Sequence, residues 1–509
     1  MTRGTLTRTG PLPGDSGDSG DSDGSDGSPY DVVVIGAGVV GTAIARELAR
    51  HPLRTALLDA SDDIGAGTSK ANTAILHTGF DAVPGSLEAR LVREGRQLLA
   101  AYAAETGIPV EPVGALLVAW TDDQLAALPG LLAKAERNGC TEARLLDPAE
   151  VHAREPHLGP GALGGLHVPG ESIICPWTTP LAYATQAVRA GVDLHLNAPV
   201  TAVDPGGSGG SGSFEGAGGS GSFGGSGSSA GPHTLTTPRG EIRARYLVNA
   251  AGLHADTVDR LLGHDDFTVR PRRGQLIVFD KFARDLVRHI LLPVPTALGK
   301  GVLVAPTVYG NVLLGPTAED LDDKTATEST PDGLNSLLDK GRHILPALLD
   351  EEVTTVYAGL RAATGHEDYR IRSHEGERYV TVGGIRSTGL TASMAIARHV
   401  MELLAEAGLE VADHPAELPR VHMPNLGEAS PRPYQRADLI ASDPAYGSVV
   451  CHCERVTRGE IRDALASTVP PVSVEGLRRR TRARSGRCQG FYCGARVREL
   501  MQGGGELTS

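Results

Sequence analysis

Tyr30-Asp31-Val32-Val33-Val34-Ile35-Gly36-Ala37-Gly38-Val39-Val40-Gly41 decides how the rest of the chain is read. Val32 to Ile35 predict a strand buried on both faces, and Gly36, Gly38 and Gly41 spell G-x-G-x-x-G. Val40, Ile44 and Leu48 are four residues apart and put an apolar stripe on the helix that follows. The next apolar run, Ala56-Leu57-Leu58, ends at Asp59, eighteen residues past Gly41. Strand, turn, helix, strand and acid make a dinucleotide-binding βαβ unit. The first glycine permits the tight turn, the second lets a pyrophosphate approach the backbone, and the third lets helix and strand pack closely. The helix N-terminus holds the phosphate charge, and Asp59 accepts from ribose hydroxyls.

The chain has 509 residues, enough for two or three domains. Apolar residues at 40% and charged residues at 21% are those of a soluble globular protein. A formal net charge of −13 argues against general affinity for nucleic acid. No apolar run reaches the roughly 18 residues of a membrane helix. The N-terminus lacks the apolar core of a secretory signal, so a cytoplasmic protein is expected. Four of the six cysteines gather near the C-terminus, which in that compartment points to metal or redox chemistry.

Residues 1–29 carry a GDS-like repeat and are expected to be a disordered tail. Gly65 to Gly79 reads as a loop and short strand. Helices are predicted over 87–106, 122–138, 181–190, 334–349 and 392–407, with a capped turn and short helix at 147–157. Strands are predicted over 116–120, 192–203, 245–252, 353–360 and 379–383. Those at 270–278 and 301–316 would belong to a second, antiparallel sheet. Residues 205–232 are almost pure Gly and Ser. Strand-like sequence resumes on both sides, so they read as an overgrown hairpin loop. Proline-rich residues 415–433 read as a connection to a C-terminal module.

The later segments narrow the cofactor. Val248 to Gly252 is a strand whose small end lets backbone approach a flat ring system. Gly389-Leu390-Thr391 precedes a helix starting near Ala392, whose N-terminus would stabilise negative charge on a reduced flavin. Together with Thr68-Ser69-Lys70-Ala71-Asn72, His77-Thr78-Gly79, Pro84-Gly85-Ser86-Leu87, Asn249-Ala250-Ala251-Gly252, Arg273-Gly274, Pro306-Thr307, Gly315-Pro316-Thr317 and Gly359-Leu360-Arg361, the chain resembles the FAD-dependent oxidoreductases of the D-amino-acid-oxidase superfamily. Within it, the pattern is similar to anaerobic, iron–sulfur-bearing glycerol-3-phosphate dehydrogenases, from about Tyr30 to the end. The family has Pro at the positions of Thr388 and Met394, and more often Glu at that of Asp59.

The resemblance implies an α/β protein: a Rossmann-type FAD-binding domain interleaved with an α+β substrate domain, plus a small C-terminal helical iron–sulfur module. The FAD part takes about 30–80, 150–265 and 355–410 of an oxidoreductase spanning 30–410. The substrate part takes 81–149 and 266–354, residues 411–445 connect, and 446–509 form the module. FAD would be held by Gly36, Gly38, Gly41, Asp59, Thr68, Ser69, Ala251, Gly252, Gly389, Leu390 and Thr391. Arg361 would bind an anionic substrate bidentately, and His77 would serve as base or flavin contact. Lys70, Arg273 and Lys300 are weaker candidates for the anion, with solvated surface charge as the bland alternative.

Cys451-His452-Cys453 is C-x-C and Cys488 to Cys493 is C-x4-C, a set of four thiolates suited to zinc or to an iron–sulfur cluster. Zinc ribbons prefer C-x2-C. The pattern resembles the bacterioferritin-associated-ferredoxin-like [2Fe–2S] module, in which Thr457-Arg458-Gly459-Glu460 would start a helix and Gly is usual at the position of Arg484. Cys140 and Cys175 stand alone and read as structural thiols. The basic run from Arg478 to Arg487 reads as solvated, or as charge near the cluster. The expected activity is oxidation of a small anionic 2-hydroxy compound, foremost glycerol 3-phosphate, with electrons passing through the cluster to an acceptor protein or a quinone-linked subunit. An L-2-hydroxy acid or amino acid oxidoreductase and a non-catalytic redox protein are the alternatives. Peripheral attachment to the inner membrane face is compatible with either.

Overall fold

The computed structural model describes residues 28–206, 231–295 and 301–503. Expectations for the N-terminal tail, for the interior of the Gly/Ser insertion and for Lys300 fall outside them.

β1 (Tyr30–Ile35), α1 (Val39–Leu48) and β2 (Thr55–Leu58) form the expected unit, with β1 and β2 parallel. Val32, Val33 and Val34 have no exposed surface, so the apolar run is covered on both faces. On its other side β1 pairs in parallel with Gly240–Asn249, which in turn pairs in parallel with Tyr379–Gly383. Asp193–His195 extends the sheet beyond β2. Ala202–Asp204 and His233–Thr237 pair antiparallel, Ala202 opposite Thr236, which makes the Gly/Ser insertion the connection of a hairpin. Its ends converge: a Cβ added at Gly206 would lie 2.2 Å from the Pro232 carbonyl oxygen. Helices α1, Thr178–Arg189 and Gly389–Glu406 cover this sheet with one continuous apolar core.

The second sheet has nine strands and is largely antiparallel, with one parallel pair between Ala115–Ala119 and Ile290–Pro293. Its longest pairing joins Arg270–Phe279 to Val353–Ala363. The chain crosses between the sheets more often than the expected partition allows. Gly164–Val168 and, from residue 355 on, Val353–Ala363 lie in ranges assigned to the FAD part, yet they hydrogen-bond into the second sheet. Helix α2 (Leu87–Thr106), from the range assigned to the substrate part, packs on Gly389–Glu406. Gly95 allows that approach, since a Cβ there would stand 2.4 Å from the Thr391 carbonyl oxygen.

The C-terminal module has its own core of Cys451, Val456, Ile461, Leu477 and Val497. Thr457 and Glu460 form a capping box at the start of Arg458–Leu465, where a helix start was expected. The basic run is not a solvated face. Arg480 and Arg482 are buried, and they dock the module. Arg480 grips Asp63 with both terminal nitrogens at 2.8 and 2.7 Å, and Arg479 reaches the same carboxylate at 2.5 Å. Arg482 pairs with Glu454 at 2.7 Å and donates to Asn311. Among the described residues, no helix is long and apolar enough to cross a membrane.

Asp63 is buried, which alone would raise its pKa. The hydrogen bonds and charge of Arg480, then of Arg479, outweigh burial and hold it below the usual carboxylate value. Asp63→Ala would strand two guanidiniums and cost about 3–5 kcal/mol. The expected result is a module that opens to limited proteolysis between residues 411 and 448 while the flavin part stays folded. Proteolysis unchanged from wild type would show that the pair is dispensable for docking.

Candidate active site

A cavity of about 180 Å³ opens where the G-x-G-x-x-G turn, residues 68–73, the start of Gly389–Glu406 and the second sheet meet. Each glycine of the motif shows a different reason for being there. Gly36 has φ +107°, and a Cβ on it would sit 2.5 Å from the Ala250 carbonyl oxygen. A Cβ on Gly41 would sit 1.8 Å from the Gly36 carbonyl oxygen, so helix and turn touch. Gly38 lines the cavity, and a Cβ there would have Ser69 Oγ, 3.3 Å away, as its nearest neighbour. That open space in front of the N-terminus of α1 fits a pyrophosphate, and a side chain would fill it.

Thr68, Ser69, Gly252, Gly389 and Leu390 line the cavity. Thr68 donates to the Leu360 carbonyl, tying this wall to the second sheet, and Ser69 Oγ accepts from Val39 N–H. Gly389 and Leu390 open a helix with no acidic residue in its first turn, so its positive end faces the space. Other expected contacts sit behind the wall. Asp59 follows β2, with its carboxylate accepting from the N–H groups of Ala37 and Ser61, and it shapes the turn. Ala251 lies beside the lining residues Ala250 and Gly252. Thr391 is fully buried, and its hydroxyl accepts from His77 N–H and donates to the Ile75 carbonyl.

Arg361 enters from the second sheet. Its Nη2 donates to the Thr317 carbonyl at 2.7 Å and its Nε to the Arg272 carbonyl, and among the described residues no carboxylate pairs with it. Burial and then the like charge of Arg272 pull its pKa down to about 10, so it stays a cation at neutral pH. Arg273 is different: it is buried against Glu319 at 2.7 Å and Glu328 at 2.6 Å, a structural pair outside the cavity. His77 is not brought into the cavity wall. Its Nδ1 lies 3.0 Å from Glu171 Oε2. Glu171 is fully buried, and its other oxygen accepts from the N–H and hydroxyl of Thr78. That buried carboxylate fixes the orientation of the ring through Nδ1. Nothing in the sequence marked Glu171, which lies 94 residues from its partner.

In the module the four cysteines converge. Cys453 lies beside Cys488 and Cys451 beside Cys493, close enough for each thiol to influence its neighbour's protonation. The backbone of Gly490, Phe491 and Tyr492 works to lower the pKa of Cys488, and that of Arg484 the pKa of Cys493. Arg484 takes φ +70°, the conformation that explains why glycine is usual at this position. Its Nε is buried without a partner. Four neighbouring cysteines, beside an unsatisfied guanidinium nitrogen, fit an anionic [2Fe–2S] cluster. Phe491 and Tyr492, on the loop between Cys488 and Cys493, are 83% and 77% exposed. Cys175 is buried with its Sγ 3.0 Å from Tyr309 Oη, as befits a structural thiol.

Comparison with known proteins agrees with this geometry. Residues 31–403 match the family described as FAD dependent oxidoreductase, and 449–503 the BFD-like [2Fe–2S] binding domain. A glycerol 3-phosphate dehydrogenase of Caloramator mitchellensis is 34% identical, over 93% of this chain and 94% of its own. The anaerobic glycerol-3-phosphate dehydrogenase subunit A1 of Haloferax volcanii is 28% identical, over 91% of this chain and 81% of its own. The dithionite-reduced L-alpha-glycerophosphate oxidase of Mycoplasma pneumoniae, solved with FAD bound, superposes with a TM-score of 0.67 at 28% identity, over 79% of this chain and 98% of its own.

Gly38→Val should abolish FAD retention while leaving secondary structure intact, because the new side chain would occupy the phosphate position. Release of stoichiometric FAD from the denatured variant would overturn that placement. Gly41→Val, by contrast, should fail to fold.

The chain thus belongs to the FAD-dependent oxidoreductase family and carries a BFD-like [2Fe–2S] domain.

Proposed function

From that membership we propose that the protein oxidises glycerol 3-phosphate at its secondary alcohol, and that electrons leave through the C-terminal module. Bound FAD supplies a two-electron hydride acceptor, and the cluster a one-electron carrier. FAD would lie along Gly36, Gly38, Thr68, Ser69, Gly252, Gly389 and Leu390, and the cluster on Cys451, Cys453, Cys488 and Cys493. The observation that carries the substrate reading is Arg361, a guanidinium on the cavity wall with no carboxylate partner among the described residues. A fork of donors suits a phosphate monoester. Glycerol 3-phosphate is the compound named for the relatives that align over nearly the whole chain, module included.

His77, its Nδ1 held by the buried Glu171, is the residue proposed as base or flavin contact. The exposed Phe491 and Tyr492 beside the cysteines offer an external acceptor its point of approach.

Anaerobic titration with glycerol 3-phosphate should bleach the flavin band, whereas L-2-hydroxyglutarate and amino acids should not. Bleaching by L-2-hydroxyglutarate in place of glycerol 3-phosphate would overturn the substrate. Arg361→Lys should raise KM on the order of tenfold, since the ammonium keeps the charge and loses the fork. Cys488→Ser should leave bleaching near normal and collapse turnover with the physiological acceptor. Turnover surviving in a folded, cluster-free variant would make the module structural.

A further inference from the structure

Two histidines and a glutamate meet at the end of the strand Arg370–His374, away from the residues that line the flavin cavity. One nitrogen each of His264 and His374 and a carboxylate oxygen of Glu377 all lie within 4.8 Å of one another.

The fold brings them together from two directions. The short helix Ala255–Leu261 is followed by Gly263 at φ +86°, and the His264 N–H donates back to the Asp259 carbonyl at 3.0 Å. His374 ends its strand, and Glu377 sits in the turn to Tyr379–Gly383, with its N–H donating to the His374 carbonyl. Although 113 residues separate them in sequence, His264 Nε2 lies 2.8 Å from Glu377 Oε2. The two imidazole rings are 3.9 Å apart and tilted by 32°.

The inner ring is held as a metal-binding histidine is held. His374 Nε2 lies 2.9 Å from Thr381 Oγ1, and that hydroxyl gives its proton to Asp259 Oδ1 at 2.8 Å. Thr381 can therefore only accept from the ring, so Nε2 carries the hydrogen and Nδ1 keeps the lone pair. Thr381 and Asp259 are both buried, which fixes that arrangement. The other two groups can be reached from solvent: the His264 side chain is 18% exposed and that of Glu377 43%. Arg372, two residues before His374, is engaged by Asp266.

We infer that His264, His374 and Glu377 bind one divalent transition-metal ion of the zinc type, with water completing its coordination. Two imidazoles and a carboxylate are a donor set that suits zinc, whereas calcium and magnesium prefer oxygen ligands throughout. The ion would replace the His264–Glu377 hydrogen bond and tie the end of Ala255–Leu261 to the hairpin. Tyr379–Gly383 reaches the flavin cavity only at its far end, through Val382 and Gly383, so the ion stabilises the fold and takes no part in the oxidation.

The test uses the full chain loaded with FAD and cluster, in a buffer that does not bind metal. Calorimetric titration with Zn²⁺ should show one site per chain, and Tm should rise with Zn²⁺ concentration. X-ray absorption at the zinc edge should show nitrogen and oxygen ligands at about 2.0–2.2 Å and no sulfur at about 2.3 Å, which separates this site from the four cysteines. Glu377→Gln, in an exposed turn, should weaken Zn²⁺ binding at least tenfold and remove the Tm response over the same concentrations. Flavin and cluster spectra should match the wild type. Should Glu377→Gln fail to fold, His264→Gln carries the same expectations from the other segment. The inference is overturned if Zn²⁺ does not bind the wild type, if sulfur appears among its ligands, or if an intact variant binds it as tightly as the wild type does.

Discussion

A buried carboxylate is the tightest polar anchor between this protein's two working parts. Asp63 sits in the loop after β2, within the dinucleotide-binding unit, and accepts from Arg479 and Arg480 of the module. Burying three charges is expensive, and such a pair adds less stability than its Coulomb energy suggests. What it adds is register. A bidentate guanidinium fixes distance and angle, so the module meets the flavin part in one orientation. Gly476 leaves the room for this contact, since a Cβ there would lie 2.8 Å from Asp63 Oδ2. The placement of the four cysteines relative to the flavin cavity follows from that lock.

The flavin cavity itself depends on backbone rather than side chains. Its floor is the G-x-G-x-x-G turn, where helix and strand are in contact through Gly36 and Gly41. Gly359 gives a similar close approach on the opposite side, with a Cβ position 2.3 Å from the Ala71 carbonyl oxygen. Main chain therefore meets main chain on both walls. Such walls bend little, and rigid walls hold a flat ring and its neighbours in a fixed relation. The polar groups that discriminate substrates are mounted on the second sheet, which lets one scaffold serve many substrates.

Local features were legible in the sequence, and long-range pairings were not. The βαβ unit declared itself through two periodicities and three glycines within 30 residues. The helix cap at Thr457 and the cysteine spacings are equally local. The hairpin around the Gly/Ser insertion could be read because strand patterning resumed on its far side. By contrast, Asp63 and Arg480 are 417 residues apart, and charge runs of this kind usually lie in solvent. Likewise nothing near His77 in sequence pointed to Glu171, the buried carboxylate that meets its ring. Arg273 looked available until the sheet placed Glu319 opposite it. Which sheet Gly164–Val168 and Val353–Ala363 join could not be read, because a strand's pattern does not say which sheet it joins.

The converging ends of the hairpin at Ala202–Asp204 and His233–Thr237 have a practical consequence. The backbone at Gly206 comes into contact distance of Gly231 and Pro232, so the main body is closed across the insertion. The hairpin is the edge of the first sheet, away from the flavin cavity and from the module. It is a natural port for cargo. A folded reporter whose own termini lie side by side could be spliced in there, and the enzyme would carry a built-in label without either cofactor site being disturbed.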